Sequence, residues 1–335
     1  MDELKRDIRR ASGQNSLAIG LFIGITYLMA YGLRFLRNSG ALGGGAKWVM
    51  MIAGALQFAV AVPLGLLIVR SIGKGREMPK LKEVFRRPRA GAGEIVRWIF
   101  ISLFFVYAAT LVSSWFFNLL QMLTGLKLHA IDLSSDGTAE GNITNIVLIM
   151  FLAPIFEEIM FRGTAAKNSS RFSSWGAVAA LAVIFGLYHM NYAQTLYTSV
   201  LGLCTGFLLV KTGSIIPPMI LHFCMNTIGT FQSLFTGRVD TAKLAAGDLN
   251  YIMEHSSDLA PLILTTFLVY GIMIAGLVLF IRELTKHPDT FRLETEEDRG
   301  AELSEGKKFA LYFSSPVTII LTAALTAITV INAVK

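Results

Sequence analysis

The feature that most constrains this chain is an apolar stretch from Asn145 to Arg162 that carries two adjacent carboxylates and an arginine. It reads NIVLIMFLAPIFEEIMFR, so that Arg162 follows Glu158 by four residues and Glu157 stands directly before Glu158. A run this apolar is typical of a membrane-spanning helix, in which each ionisable side chain costs about 2.5–3.5 kcal/mol on insertion scales. A segment that retains three such side chains therefore indicates a functional site.

The composition places this stretch in an integral membrane protein. Of the 335 residues, 53% are hydrophobic and only 16% are charged, whereas a soluble domain is about 25% charged. Apolar runs of about 17 to 25 residues, the length that spans a bilayer, recur at about nine places. We therefore predict one integral membrane domain over residues 1–335, an all-α polytopic bundle of about eight to nine transmembrane helices. The predicted spans are 17–36, 48–69, 95–123, 145–162, 175–190, 195–210, 215–230, 261–281 and 309–333.

The distribution of positive charge predicts the orientation of the bundle. Nine Lys or Arg residues lie between positions 70 and 97, and connections this basic stay in the cytoplasm. We expect a basic cytoplasmic loop over 70–94, a charged cytoplasmic linker over 282–308 and a cytoplasmic N-terminus in a multi-pass protein of the cell membrane. Anionic lipid headgroups are the expected partners of these charges. A nucleic-acid partner is not expected, because the basic run joins two spans.

Helical spacing divides the three charges of the central stretch into a pair and a single group. Residues four apart share one face of a helix, while adjacent residues diverge by about 100°. Glu158 and Arg162 are thus predicted to pair along one helix, which lowers the cost of burying both. Glu157 is left without a local cation and is free to exchange a proton with water or substrate.

Two later apolar runs carry the remaining candidate residues. His189 follows Phe185 by one helical turn, and Asn226 follows His222 by one turn. A glutamate, two histidines and an asparagine that converge inside a bundle suit hydrolysis. Glu157 and His189 would polarise a water, while His222 and Asn226 would donate hydrogen bonds to the oxyanion of a tetrahedral intermediate.

These residues form three ordered motifs that resemble those of a known family. The patterns Glu-Glu-x-x-x-Arg, Phe-x-x-x-His and His-x-x-x-Asn stand at 157–162, 185–189 and 222–226. In this order, each in an apolar run, they resemble the CPBP family (CAAX prenyl endopeptidase type II and bacteriocin-processing, also called Abi) of intramembrane proteases. The resemblance covers residues 143–230, which are the predicted catalytic core.

The resemblance implies a function and roles for the site residues. It implies a membrane-embedded cavity in which Glu157 and His189 activate water, His222 and Asn226 stabilise the oxyanion, and Glu158 and Arg162 support the site. The implied substrate is a lipidated or hydrophobic membrane-associated peptide or protein, prenylated or not. The alternative is a non-catalytic membrane scaffold, a bacteriocin-immunity factor or a transporter, in which the buried polar groups stabilise the bundle or bind a ligand.

A zinc site is the chemical alternative to the glutamate mechanism. Glu157, His189 and His222 are acceptable zinc ligands, but the sequence has no HExxH motif, and the one-turn partner of His222 is Asn226, a poor zinc ligand. We therefore expect no metal. Straight, full-length spans would place Glu157 near the cytoplasmic end of its helix and His189 near the external end of the next. The predicted site thus requires tilted or broken helices.

Overall fold

The apolar runs fold into helices because a lipid-embedded backbone must satisfy its own hydrogen bonds. A computed structural model describes residues 2–40, 46–72, 85–130, 138–169, 175–293 and 303–335, and it contains no β-strand among them. The helices are α1 (Asp2–Asn38), α2 (Ala46–Ile72), α3 (Ala92–Thr124), α4 (residues 139–169), α5 (Trp175–Tyr188), α6 (Tyr192–Thr212), α7 (Ile216–Thr236), α8 (Thr241–Ala245), α9 (Leu249–Glu254), α10 (Ser256–Lys286), α11 (Glu305–Tyr312) and α12 (Pro316–Val334).

The predicted all-helical, multi-pass architecture is confirmed. Within the described residues, six helices are long and apolar enough to cross a membrane: Asp2–Leu36, Ala92–Thr124, Gly141–Ala166, Tyr192–Thr212, Ser256–Lys286 and Pro316–Val334. Gly54–Ile68 and Trp175–Tyr188 are shorter apolar helices. Each of the nine predicted spans falls on a helix, but the ninth is divided, since α11 ends at Tyr312 and α12 begins at Pro316. Proline lacks the N–H that a continuous helix needs and is favoured in a first turn.

Two predicted connections lie partly outside the described residues. These are residues 73–84 of the basic loop predicted over 70–94 and residues 294–302 of the linker predicted over 282–308. Within the described part of the linker, α10 continues to Lys286, a 3₁₀ turn spans Pro288–Phe291, and α11 begins at Glu305.

The bundle is built around the antiparallel pair α5 and α6. Helix α3 packs against α6 and α10, α7 packs against α6, α10 and α4, and α1 packs against α2, α11 and α12. Gly186 allows α5 and α6 to approach closely, because a Cβ atom there would lie 2.5 Å from the carbonyl oxygen of Thr195. This close contact fixes α5 against α6.

Helix α4, which carries the central stretch, is not a uniform α-helix. Its α-helical segments Ala139–Asn145, Ala153–Glu158 and Lys167–Ser169 alternate with π-helical segments Ile146–Leu152 and Ile159–Ala166. A π-helix bonds each N–H to the carbonyl five residues back, and such segments occur frequently at functional sites. The two π-helical segments flank Glu157 and Glu158 on both sides.

Helix α5 is short and ends inside the bundle. Trp98 of α3 and Trp175 of α5 both contact the ring of Phe207, so the two helices share one level there. From that level α5 runs about 20 Å to Tyr188, whereas α3 runs about 39 Å to Thr124, at 1.5 Å per residue. The residue after α5, His189, therefore lies at the depth of the bundle interior and not at its surface.

One end of the bundle is closed by bonds among connecting segments. We call it the basic end, since Arg86 and Lys211 lie there. The Nε of Arg86 donates to Gly213 O at 2.7 Å, Lys211 Nζ donates to Thr290 O at 3.2 Å, and Trp175 Nε1 donates to Phe291 O at 2.9 Å. The first bond joins the segment before α3 to the turn between α6 and α7. The other two join the end of α6 and the start of α5 to the 3₁₀ turn after α10.

Candidate active site

A cavity of about 920 Å³ lies between α1, α3, α4, α6 and α7. Glu157, His189, His222 and Asn226, the four residues predicted to be catalytic, all line it. Glu158 and Arg162 are buried behind its wall. The shortness of α5 brings His189 to the level of Glu157, so the mismatch in depth expected from straight, full-length spans is absent.

The two adjacent glutamates face different surroundings. Glu158 Oε1 accepts a hydrogen bond from Arg162 Nη1 at 3.2 Å and lies 2.9 Å from His222 Nδ1. Glu157 Oε1 accepts a longer bond, 3.4 Å, from the hydroxyl of Tyr188. Its second oxygen, Oε2, is buried, lies 3.9 Å from His222 Nε2 and has no hydrogen-bond partner among the described residues. Glu157, which lines the cavity, thus keeps one acceptor atom without a hydrogen-bond partner.

The guanidinium of Arg162 is compensated on several sides. Besides Glu158, it donates from Nη2 to Gly202 O at 3.1 Å, and its Cζ lies 4.4 Å from the centre of the Phe185 ring. A Cβ at Gly202 would lie 3.3 Å from Nη2 and 2.9 Å from Ala182 Cα, so α6 must carry glycine to approach α5 and the arginine this closely. A buried charge needs such pairing, because an unpaired ion in the interior is strongly destabilising.

The imidazole of His222 lies between the two carboxylates. A carboxylate only accepts hydrogen bonds, so Nδ1 carries a proton toward ionised Glu158, which leaves Nε2 pointing toward Glu157. If His222 is to donate from Nε2 as well, its ring must hold both protons.

The ring of His189 is oriented by the backbone of α5, the helix that ends at the preceding residue. His189 Nδ1 lies 2.9 Å from Phe185 O, and because a carbonyl only accepts, Nδ1 is the protonated nitrogen of the neutral ring. The unprotonated Nε2 remains available to accept a hydrogen bond from a water. The ring of Phe185 contacts both histidines edge-on, at centroid distances of 5.0 Å from His189 and 5.8 Å from His222.

Asn226 is held by a carbonyl that a proline leaves free. In the π-helical segment of α4, Ala153 N–H bonds Leu148 O, five residues back. The next donor in this series would be residue 154, but Pro154 has no N–H, so Ile149 O lacks its helical partner. Asn226 Nδ2 donates to that oxygen at 2.8 Å. One N–H of the carboxamide is used in this way, and the second remains for a ligand.

Tyr188 is a site residue that the sequence analysis missed. It lines the cavity, and its hydroxyl donates to Glu157 while its ring stacks near Phe22 and Phe185. The available signal was its position directly before His189, at the end of an apolar run.

The described residues contain no group of three His, Cys, Asp or Glu side chains placed to hold a metal ion. Each histidine of the site already directs Nδ1 at another group, and Glu158 is bonded to Arg162. Nε2 of each ring is thus the nitrogen that remains for a ligand.

A bundle of membrane-length helices around a buried, carboxylate- and imidazole-lined cavity defines a multi-pass membrane protein with an intramembrane polar site. Part of the chain also matches a family model: residues 139–228 match the family described as type II CAAX prenyl endopeptidase Rce1-like. The match confirms the resemblance to the CPBP family over this segment. Comparisons with curated proteins and with solved structures return no match.

Proposed function

We propose that this protein is an intramembrane endopeptidase of the CAAX type that hydrolyses a peptide bond with a water activated by Glu157 and His189. The observation that carries the proposal is the meeting of Glu157, His189, His222 and Asn226, from two helices and one turn, in a single buried cavity. The family match over residues 139–228 supports protease activity for this segment.

In the first step, a water bound between Glu157 Oε2 and His189 Nε2 loses a proton to the Glu157 carboxylate. The hydroxide attacks the carbonyl carbon of the scissile bond, and the carbonyl oxygen becomes an oxyanion. The free acceptor oxygen of Glu157 and the tautomer imposed on His189 by Phe185 O support these two roles. General-base catalysis of this kind contributes about 10²- to 10⁴-fold in rate.

In the second step, His222 Nε2–H and the second N–H of Asn226 donate hydrogen bonds to the oxyanion. Glu157 then returns the proton to the amide nitrogen, the C–N bond breaks, and the amine leaves while the new carboxyl group remains on the other product. Donors fixed in place before the reaction stabilise such charge effectively. The bonds of His222 to Glu158 and of Asn226 to Ile149 O support this function, since each fixes a donor.

The proposed substrate is a lipidated or hydrophobic membrane-associated peptide, with prenylated peptides as one class to be tested. A cavity inside a bundle of apolar helices favours a substrate that partitions into the membrane. We also propose that the N-terminus lies in the cytoplasm, because Lys5 and Arg9 belong to the same end of the bundle as Arg86, Arg89 and Arg97.

The test compares peptides in membranes and in the medium of cells that produce the wild type, Glu157→Gln or Glu254→Gln, by mass spectrometry. Glu157→Gln keeps the shape of the side chain but removes the base, so products present with the wild type should vanish. Glu254→Gln, an exposed position outside the cavity, is the matched control and should leave them unchanged. Equal products from all three at equal abundance would exclude this mechanism and favour a non-catalytic scaffold, immunity or transport function.

Metal dependence is tested on the purified protein. The glutamate mechanism predicts that treatment with a chelator leaves the cleavage rate unchanged. Metal analysis of the treated protein verifies that no metal remains. A loss of cleavage that is restored by zinc alone would replace this mechanism with a metal-dependent one.

A further inference from the structure

The cavity is closed toward the basic end of the bundle. Its deepest lining residues are Glu157, Leu201 and His222. Directly beyond them, Phe161, Phe185 and Leu221 are fully buried, each with 0% exposure. Further along lie the bonds that join Arg86, Lys211 and Trp175 to neighbouring segments. No described residue from these closing segments lines the cavity.

The other end of the cavity has a polar mouth. Lining residues there come from the last turns of α7, the first turns of α4 and α6, and the segment after α3. Neutral amides and hydroxyls predominate among them, and we define the mouth by Asn145, Gln194, Gln232, Ser233 and Thr236. Among the described lining residues there is no Lys, Arg or Asp, and Glu157 is the one Glu. An uncharged peptide backbone suits such a surface, because amides and hydroxyls offer both donors and acceptors.

The two ends differ strongly in positive charge. The first ten residues, the sequence segments that join helices at the basic end and the helix ends next to those segments hold twenty-two of the thirty Lys and Arg residues. The corresponding segments and helix ends at the end with the mouth, together with the C-terminal residue, hold seven Lys or Arg residues. The remaining one is the buried Arg162. Lys- and Arg-rich connections stay in the cytoplasm, so the mouth lies on the opposite face of the membrane.

We propose that the cavity admits its substrate from the non-cytoplasmic face, and that the substrate is an uncharged, extended peptide segment exposed on that face. That the cavity binds a substrate rests on the proposed function. The face from which the cavity is accessible can be measured without any cleavage assay. Entry from the non-cytoplasmic face places the scissile bond in an exported or outward-facing part of a peptide, not in a cytoplasmic tail.

The test measures which face of the membrane reaches the cavity. In a background with Cys204→Ala and Cys224→Ala, a single cysteine is placed at Thr230, which lines the cavity one turn beyond Asn226 and whose hydroxyl is buried without a hydrogen-bond partner among the described residues. A small, charged, membrane-impermeant thiol reagent is added to intact cells. Thr230→Cys should be modified to completion. Thr205→Cys, buried on α6 outside the cavity, is the matched control and should stay at background.

A third variant reports the opposite face. Lys286→Cys is exposed at the basic end and should react only after the cells are permeabilised. If Thr230→Cys reacts only after permeabilisation while Lys286→Cys reacts in intact cells, the proposed entry face is wrong. If both cysteines need permeabilisation, the cavity is closed to the outside and the proposal is also overturned.

A second arm separates this inference from the proposed function. Glu157→Gln is added to the Thr230→Cys variant and labelled in the same way, and outward-facing and cytoplasmic versions of a working substrate are compared for cleavage. Unchanged labelling supports the entry face even if Glu157→Gln still cleaves, a result that would reject only the mechanism. Cleavage of the cytoplasmic version alone would overturn the entry face while leaving the protease function intact.

Discussion

Two clusters of buried polar side chains differ in how completely their hydrogen bonds are made. One is the cavity site. The other, which we call the polar junction, joins α1, α4, α11 and α12 near the basic end. At its centre Asn15 Nδ2 lies 3.0 Å from Ala165 O, 2.8 Å from Ser169 Oγ and 3.0 Å from Tyr312 Oη. Its other members are Ser12, Ser16, Asn168 and Thr318.

The difference shows which buried polar groups hold the fold and which are ready for a ligand. Eight buried side-chain N or O atoms lack a hydrogen-bond partner among the described residues; three of them, on Thr26, Glu157 and Thr230, belong to residues that line the cavity, and none belongs to the polar junction. Leaving a buried polar atom unpaired costs about 1–3 kcal/mol. The junction avoids that cost through internal bonds, whereas the cavity atoms are positioned for bonds to water or peptide.

The largest effect is expected at Glu158, whose Oε1 contacts both Arg162 and His222 while its Oε2 lacks a hydrogen-bond partner among the described residues. Glu158→Gln removes the anion that faces Arg162 and His222, so a buried arginine loses its charge partner. We expect about 3–5 kcal/mol of lost stability, measured by unfolding in detergent, together with loss of cleavage.

A double variant separates these two consequences of Glu158→Gln. Adding Arg162→Met removes the uncompensated charge, so stability should be partly restored while cleavage stays lost, because His222 still lacks its anion. Recovery of both stability and cleavage would show that Glu158 acts only as half of an ion pair.

Asn226 should show the next largest effect, through the rate of cleavage. Asn226→Ala removes an oxyanion donor, and such losses reduce kcat by about 10²- to 10³-fold. It also leaves Ile149 O without a partner, which should cost about 1–3 kcal/mol of stability.

The matched variant for Asn226 uses the proline of α4. Pro154→Ala supplies an N–H that can bond Ile149 O in the π-helical pattern. In the double variant with Asn226→Ala, stability should return while the kcat deficit remains. A double variant that also recovers kcat would make Asn226 a tie between helices and nothing more.

At the polar junction the expected effect is on stability alone. Asn15→Ala leaves Ala165 O, Ser169 and Tyr312 without a shared partner and should lower the free energy of unfolding by about 1–3 kcal/mol. Because Asn15 does not line the cavity, the cleavage rate per folded molecule should match that of the wild type at a temperature where both are folded. A lowered rate with unchanged unfolding would reverse the roles of the two clusters.

The sequence predicted those parts of the site that depend on spacing within one helix. The apolar runs located the helices, and the four-residue interval predicted the pairing of Glu158 with Arg162 that the structure contains. Apolar length and helical period are local properties, so a single segment is enough to reveal them.

Helical spacing could not predict the contacts between residues that are far apart in the sequence. His222 is bonded to Glu158 across 64 residues, and Asn226 to Ile149 across 77. Neither bond follows from periodicity, because each depends on how α7 packs against α4. The sequence predicted a span over 175–190, close to the observed Trp175–Tyr188, but it did not predict that this short helix ends inside the bundle instead of at its surface. That early end brings His189 into the site.

The smallest effect is expected at Tyr188, whose single bond to Glu157 is long. Tyr188→Phe removes a 3.4 Å hydrogen bond but keeps the aromatic packing against Phe22 and Phe185. A bond of this kind contributes about 0.5–1.5 kcal/mol, so kcat should fall by less than about 13-fold, with little change in the unfolding midpoint. Tyr197→Phe, on the same cavity wall but without a bond to Glu157, should leave kcat unchanged. Equal losses in the two variants would mean that Tyr188 acts through the shape of the cavity, whereas a loss confined to Tyr188→Phe would show that its hydroxyl orients the proposed base.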